Sequence, residues 1–105
     1  MPGKFILQYI ARVKELISQG LWTIIPRKKN LDSLSEAGLT VKDVKDELLS
    51  LEVSDYEKGP EMDYSYSGEI WIFKRNICNN DFYIKLKIDV ANDGTEILKC
   101  LSFHN

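Results

Sequence analysis

Asp81-Phe-Tyr-Ile-Lys-Leu-Lys-Ile-Asp-Val90 alternates without interruption: Phe82, Ile84, Leu86, Ile88 and Val90 share one parity, and Tyr83, Lys85, Lys87 and Asp89 share the other. Successive side chains of a strand point to opposite faces, so the pattern predicts a strand with one face in a core and the other in water. Asn79-Asn80-Asp81 marks a turn into it, and Asn92-Asp93-Gly94 marks a second hairpin where positive φ is tolerated. Upstream, Ile70-Trp71-Ile72-Phe73 is apolar on both parities, which predicts a strand covered on both faces at the middle of the sheet. Downstream, Ile97, Lys99, Leu101 and Phe103 alternate with Leu98, Cys100, Ser102 and His104. The second half should therefore be an antiparallel sheet of three strands, near residues 68–76, 81–90 and 96–104.

Helical spacing governs the first half. Phe5, Ile6, Tyr9, Ile10, Val13, Leu16 and Ile17 recur every three or four residues, predicting a helix over 4–19 that Gly20 stops. Residues 21–25 are apolar β-formers before Pro26, which suits a short edge strand. Asn30 or Asp32 is placed to cap a short helix closed by Gly38, and Thr40 with Asp43 forms a capping box opening a helix over 41–51. Ser54 and Glu57 repeat that spacing, so residues 54–58 read as one helical turn projecting Lys58, followed by a loop over 59–67. The expected fold class is α+β, with N-terminal helices packed on a small antiparallel sheet in a single domain, 1–105.

A chain of 105 residues buries one core without needing a metal or a disulfide. Cys78 and Cys100 lack metal-ligand spacing and are expected as reduced thiols. No apolar run approaches the roughly 18 residues of a membrane span, so a cytoplasmic protein without membrane association is expected. A net charge of −2 argues against indiscriminate coating of nucleic acid. Its distribution is uneven: residues 1–30 hold six basic groups and one acid, residues 31–70 three against eleven, and residues 71–105 five against four. Such asymmetry can set a basic face opposite an acidic one, or simply solvate helix surfaces.

The polar strand face with Tyr83, Lys85 and Lys87 lies next to a strand ending in His104, the single histidine. A phosphodiester fits such a face, because lysines neutralise phosphate while tyrosine stacks on a base or transfers a proton. Alternating lysines also serve merely to solvate a strand and block edge pairing. Phosphate loops, nucleophile elbows and helical metal-binding His pairs are absent from the sequence.

Taken together, several segments resemble the MqsR family of bacterial toxins, within the RelE-like group of ribonucleases. Ser33 to Lys58, ending Ser54-Asp55-Tyr56-Glu57-Lys58, resembles the family's helix followed by its Ser-Asp-Phe/Tyr-x-Lys turn. Ile70-Trp71, Tyr83-Ile84-Lys85 and Ser102-Phe103-His104 then follow in the family's order, the whole covering about two-thirds of the chain. The resemblance implies a RelE-like fold and cleavage of messenger RNA without metal or cofactor. It also implies a cognate antitoxin encoded nearby, with the ribosome as a further candidate partner. Lys58, Tyr83 and His104 fall on positions that are functional in the family. Two positions depart: His104 stands where the best-known members have lysine, and Ile72 replaces a glutamine expected after Ile-Trp. An imidazole, with an ordinary pKa of about 6.5, suits proton transfer near neutrality.

The mechanism so implied is attack of the RNA 2′-hydroxyl on the adjacent phosphate. His104 would transfer protons, Tyr83 would transfer a proton or stack, and Lys58 and Lys85 would stabilise charge. Lys74, Arg75 and Lys87 would hold RNA backbone, Lys74 being the candidate to compensate for the glutamine. The competing readings are a non-catalytic protein-binding module and a nucleic-acid-binding regulator that does not cleave.

Overall fold

The computed structural model describes residues 2–63 and 68–105, so residues 64–67 of the expected loop lie outside the described residues. Helix α1 (Pro2–Ser18) is followed by β1 (Trp22–Ile24), α2 (Lys28–Ala37), α3 (Val41–Leu49) and a short 3-10 turn, Val53–Asp55. Four more strands complete the chain: β2 (Tyr56–Met62), β3 (Glu69–Ile77), β4 (Asn80–Val90) and β5 (Glu96–His104). The strand order is β1-β5-β4-β3-β2. The architecture is α+β as expected, but the sheet is mixed, because β1 runs parallel to β5 with Trp22 opposite Leu98 and Ile24 opposite Cys100.

One sheet face carries the core. Ile10, Val13, Leu16 and Ile17 of α1 and Val44 and Leu48 of α3 meet Phe73, Ile84, Leu86, Leu98 and Phe103 of the sheet. The alternation of β4 holds over its first half, where Phe82, Ile84 and Leu86 have no exposed surface and Tyr83 on the opposite parity is exposed, but further on Lys87 is buried and Val90 is exposed. Thr40 accepts from the Asp43 N–H while the Asp43 carboxylate accepts from the Thr40 N–H, the capping box expected from sequence.

Three sequence expectations are corrected. The middle strand is β4, not β3. The second apolar parity of β3 has another use: Ile72 is buried in register between Lys58 and Lys85, and Ile70 floors a groove. The turn expected over 54–58 is shorter, and from Tyr56 the chain becomes the edge strand β2. Pro60 is tolerated there because an edge strand has one side free of ladder bonds. Gly59 at φ 120 is needed because a Cβ would lie 2.8 Å from the Ile70 carbonyl oxygen. Finally, Asn30 does not cap α2, whose N-cap is Arg27 without a side-chain bond. Asn30 is fully buried and bonded to the sheet.

A β-bulge sets the faces of β5. Leu86 pairs with Cys100 and Lys85 with Ser102, so Leu101 is the extra residue. Phe103 thereby joins Leu98 and Cys100 in the core, while Ser102 and His104 turn to the open face with Lys99. Asn30 pins this irregularity. Its Nδ2 donates to the carbonyls of Ile25 (2.9 Å) and Leu101 (3.1 Å), and its Oδ1 accepts from the Phe103 N–H (3.0 Å). The amide in effect extends the parallel ladder of β1 by one more rung.

Two expected results arise from the core. Cys100 is buried and its thiol is pushed up to about 12 by desolvation, whereas Cys78 is exposed in the β3–β4 turn. A thiol-reactive chromophore should therefore titrate one cysteine in the native protein and two in denaturant. Tyr9 stacks on Trp71 with centroids 4.3 Å apart, yet among the described residues its buried hydroxyl has no hydrogen-bond partner. Tyr9→Phe keeps the stack and removes the orphan, so stability should rise by about 1 kcal/mol, or about 4–8 °C in Tm. Burial, then Glu69, pushes the Tyr9 phenol well up from its ordinary value. The unfolded chain thus ionises first, stability falls above about pH 10, and the variant should lose that part of the alkaline transition. A variant melting below the parent would refute the assignment.

Candidate functional site

The open sheet face is organised in cross-strand rows. In the first, Tyr83 of β4 is directly opposite His104 of β5 on one side and Lys74 of β3 on the other. Directly opposed side chains have Cβ atoms roughly 4.5–5.5 Å apart, so phenol and imidazole are neighbours. Lys74 Nζ lies 5.5 Å from the Tyr83 ring centroid, a cation–π contact. In the next row Lys85 stands between Ser102 and Ile72, and Ile72 is opposite Lys58 of β2. Rows are two residues apart, roughly 7 Å at strand rise, so both belong to one patch.

The accessibilities suit a surface that meets substrate. Tyr83 is 42% exposed, His104 and Lys85 are half-buried, and Lys58 is exposed beside Glu61 (3.4 Å). His104 Nδ1 lies 3.3 Å from the Asn105 main-chain oxygen. With the proton on Nδ1 that contact is a hydrogen bond, and Nε2 is left as a base. Asn105 is itself held by Ser33 of α2, whose hydroxyl donates to Asn105 Oδ1 at 3.0 Å. Two α2 residues, Asn30 and Ser33, thus fix the strand end that bears the imidazole. Sequence reading misses both, since nothing separates them from ordinary polar residues of an exposed helix.

Two expected RNA contacts lie elsewhere. Arg75 is on the helix-covered face, where its guanidinium pairs with Asp55 (2.7 Å) and Glu47 (3.2 Å) and donates to the Ser50 carbonyl (2.9 Å). Burial opposes its charge, but the two carboxylates outweigh it and raise its pKa. Arg75 therefore ties β3 to α3 and the turn after it, away from the patch. Lys87 is on the open face but only 3% exposed, with its ammonium 2.8 Å from Asp63 and 3.3 Å from Asp89. Desolvation works against that ammonium, yet the hydrogen bonds it donates to the two carboxylates raise its pKa overall. Asp89 also meets Lys99 at 2.8 Å, and despite its burial the two lysines hold its carboxyl below the usual range. Gly68 lies over this cluster, where a Cβ would be 2.9 Å from Lys87 Cε. Lys87 is thus held inside an ion-paired cluster, with its ammonium turned to carboxylates.

Beside the patch a groove of about 750 Å³ opens on the same face. Ile25, Ile70, Ile97 and Leu101 supply its apolar lining, and Arg27, Lys85 and Lys99 its cations beside the Lys87 cluster. Among the described residues no three His, Cys, Asp or Glu side chains come together as ligands for a metal ion. Among the described residues no helix is long and apolar enough to cross a membrane.

Among curated proteins none matches the chain significantly. A family model described as motility quorum-sensing regulator, toxin of MqsA, matches residues 8–105. That match takes in α2, all five strands and both rows of the patch, and on it the chain belongs to the MqsR family, the toxins of toxin–antitoxin systems.

Proposed function

We propose that the protein is a metal-independent endoribonuclease that cleaves messenger RNA in the cytoplasm, arresting translation until a cognate antitoxin encoded nearby binds it. The observation that carries this reading is the register setting Tyr83 opposite His104, with Lys58, Lys74 and Lys85 around them on one accessible face. A phosphodiester lying across that face meets cations and two proton-transfer groups at once.

In the proposed step the RNA 2′-hydroxyl oxygen bonds to phosphorus and gives its proton to a base. The 5′-oxygen leaves with a proton from an acid, producing a 2′,3′-cyclic phosphate and a free 5′-hydroxyl. His104 serves proton transfer, and Tyr83 serves proton transfer or stacks on the adjoining base. Lys58 and Lys85 stabilise the negative charge that builds on the phosphorane-like transition state. Lys74, poised over the phenol ring, takes the RNA-facing role on β3, because Ile72 offers no hydrogen bond.

That same Ile72 favours a second reading. A row with cations but no amide could bind phosphate without completing the catalytic set, leaving a nucleic-acid-binding regulator. Mapping transcript ends after induction, with Tyr83→Phe and His104→Ala beside the parent, separates the two. New ends bearing 5′-hydroxyls with the parent and few with the variants support the nuclease; intact transcripts with all three favour the regulator. Repeating the cleavage on purified protein with a chelator tests metal independence.

A further inference from the structure

We infer that the groove flanking the patch is a second nucleotide subsite, which seats the base and phosphate next to the scissile linkage; this rests on the nuclease reading. Lys85 belongs to both patch and groove, so an RNA strand crossing the first row continues directly into the second site. Its volume, about 750 Å³, falls within the roughly 300–1,000 Å³ typical of small-molecule sites.

The lining has the mixed chemistry a nucleotide needs. Ile25, Ile70, Ile97 and Leu101 offer a flat aliphatic surface to a base. Arg27, Lys85, Lys87 and Lys99 face Asp63 and Asp89, an excess of cations on a chain whose net charge is −2. Lys87 and Lys99 are engaged with the carboxylates, whereas among the described residues Arg27 and Lys85 form no ion pair. Those two cations remain for phosphates. Four cations against two carboxylates leave the lining net positive, which favours a phosphate-bearing strand over a basic peptide.

The test uses a fluorescent oligoribonucleotide made uncleavable by 2′-O-methylation, titrated with the parent, Arg27→Ala and Ile97→Trp. Neither substituted residue belongs to the patch, and thermal melts establish that each variant is folded. Arg27→Ala should weaken binding about 3–10-fold and lower the salt slope by about one, the loss of a single phosphate contact. Ile97→Trp fills the groove and should weaken binding comparably, but not for an oligonucleotide that is abasic at the neighbouring position. On the cleavable RNA both variants should raise KM with little change in kcat.

Parental affinity in both variants overturns the subsite, even if cleavage by the parent is intact. Weakened variants alongside a parent that yields no product would instead sink the nuclease reading and keep the subsite. A parent that binds no oligonucleotide refutes both. Loss of antitoxin affinity in Arg27→Ala, with oligonucleotide affinity kept, would assign the groove to a protein partner and overturn the inference.

Discussion

His104→Ala should cleave RNA about 10² to 10⁴-fold more slowly than the parent, the usual contribution of a positioned acid or base. The fold should be indifferent to the change. The imidazole is half-buried, and its Nδ1 meets the neighbouring Asn105 main-chain oxygen. Initial rates on a labelled oligonucleotide, read beside circular dichroism, separate loss of chemistry from loss of structure. Tyr83→Phe supplies the companion measurement, since it keeps a ring for stacking and for the Lys74 cation–π contact but removes the hydroxyl. A large fall there assigns proton transfer to the phenol, and a small one assigns stacking. Parental rates in His104→Ala would remove the histidine from the mechanism.

Asn30→Ala should be the most damaging single change to stability that the site invites. The side chain has no exposed surface, and its loss strands the carbonyl of Leu101 and the N–H of Phe103, leaving the carbonyl of Ile25 with the Arg27 N–H alone. Each buried polar group left without a partner costs about 1–3 kcal/mol, so the two together cost at least about 2 kcal/mol. Domains of this size have a total stability of about 5–15 kcal/mol. Tm should therefore fall by about 8 °C or more. Asn30→Asp sharpens the test. It keeps the acceptor for Phe103, loses both donors and sets a carboxylate against two carbonyls. The introduced carboxyl would have a raised folded pKa, so stability should recover as pH falls through that value and decline as pH rises. Melting of Asn30→Ala within a degree or two of the parent would show that the three bonds carry no weight.

What was legible in the sequence followed the strength of the local periodicity. Residues 81–90 alternate so regularly that the core and open faces of β4 could be assigned residue by residue, and α1 and the Thr40–Asp43 cap were equally plain. β2 was hidden because Gly59 and Pro60 interrupt any alternation, and register shifts on either side of Lys58 break its pairing. The parallel partnership of β1 with β5 joins segments far apart in sequence, which no local pattern encodes. For the site, composition could propose Tyr83, Lys85 and His104 as neighbours. Composition could not separate an exposed cation from a buried one. Lys87 and Lys85 share a parity and a residue type, yet Lys87 is enclosed by Asp63 and Asp89, a fact fixed by tertiary packing. Arg75 is the opposite case. Its odd parity on β3 is that of Trp71 and Phe73, so the helix-covered face could have been read directly from the alternation.

The extra residue at Leu101 makes the aim of the last three side chains a matter of counting. Shortening the strand by one amino acid there would restore an unbroken alternation and leave Ser102, Phe103 and His104 opposite the same partners, Lys85, Ile84 and Tyr83. Were the kink instead ironed flat with every residue kept, Phe103 would come opposite Tyr83 on the open side and the imidazole would swing round to the packed interior, opposite Phe82. Length at this point is therefore negotiable, whereas the skip in the ladder is what the present length demands. A variant lacking Leu101 should still present its imidazole beside the phenol.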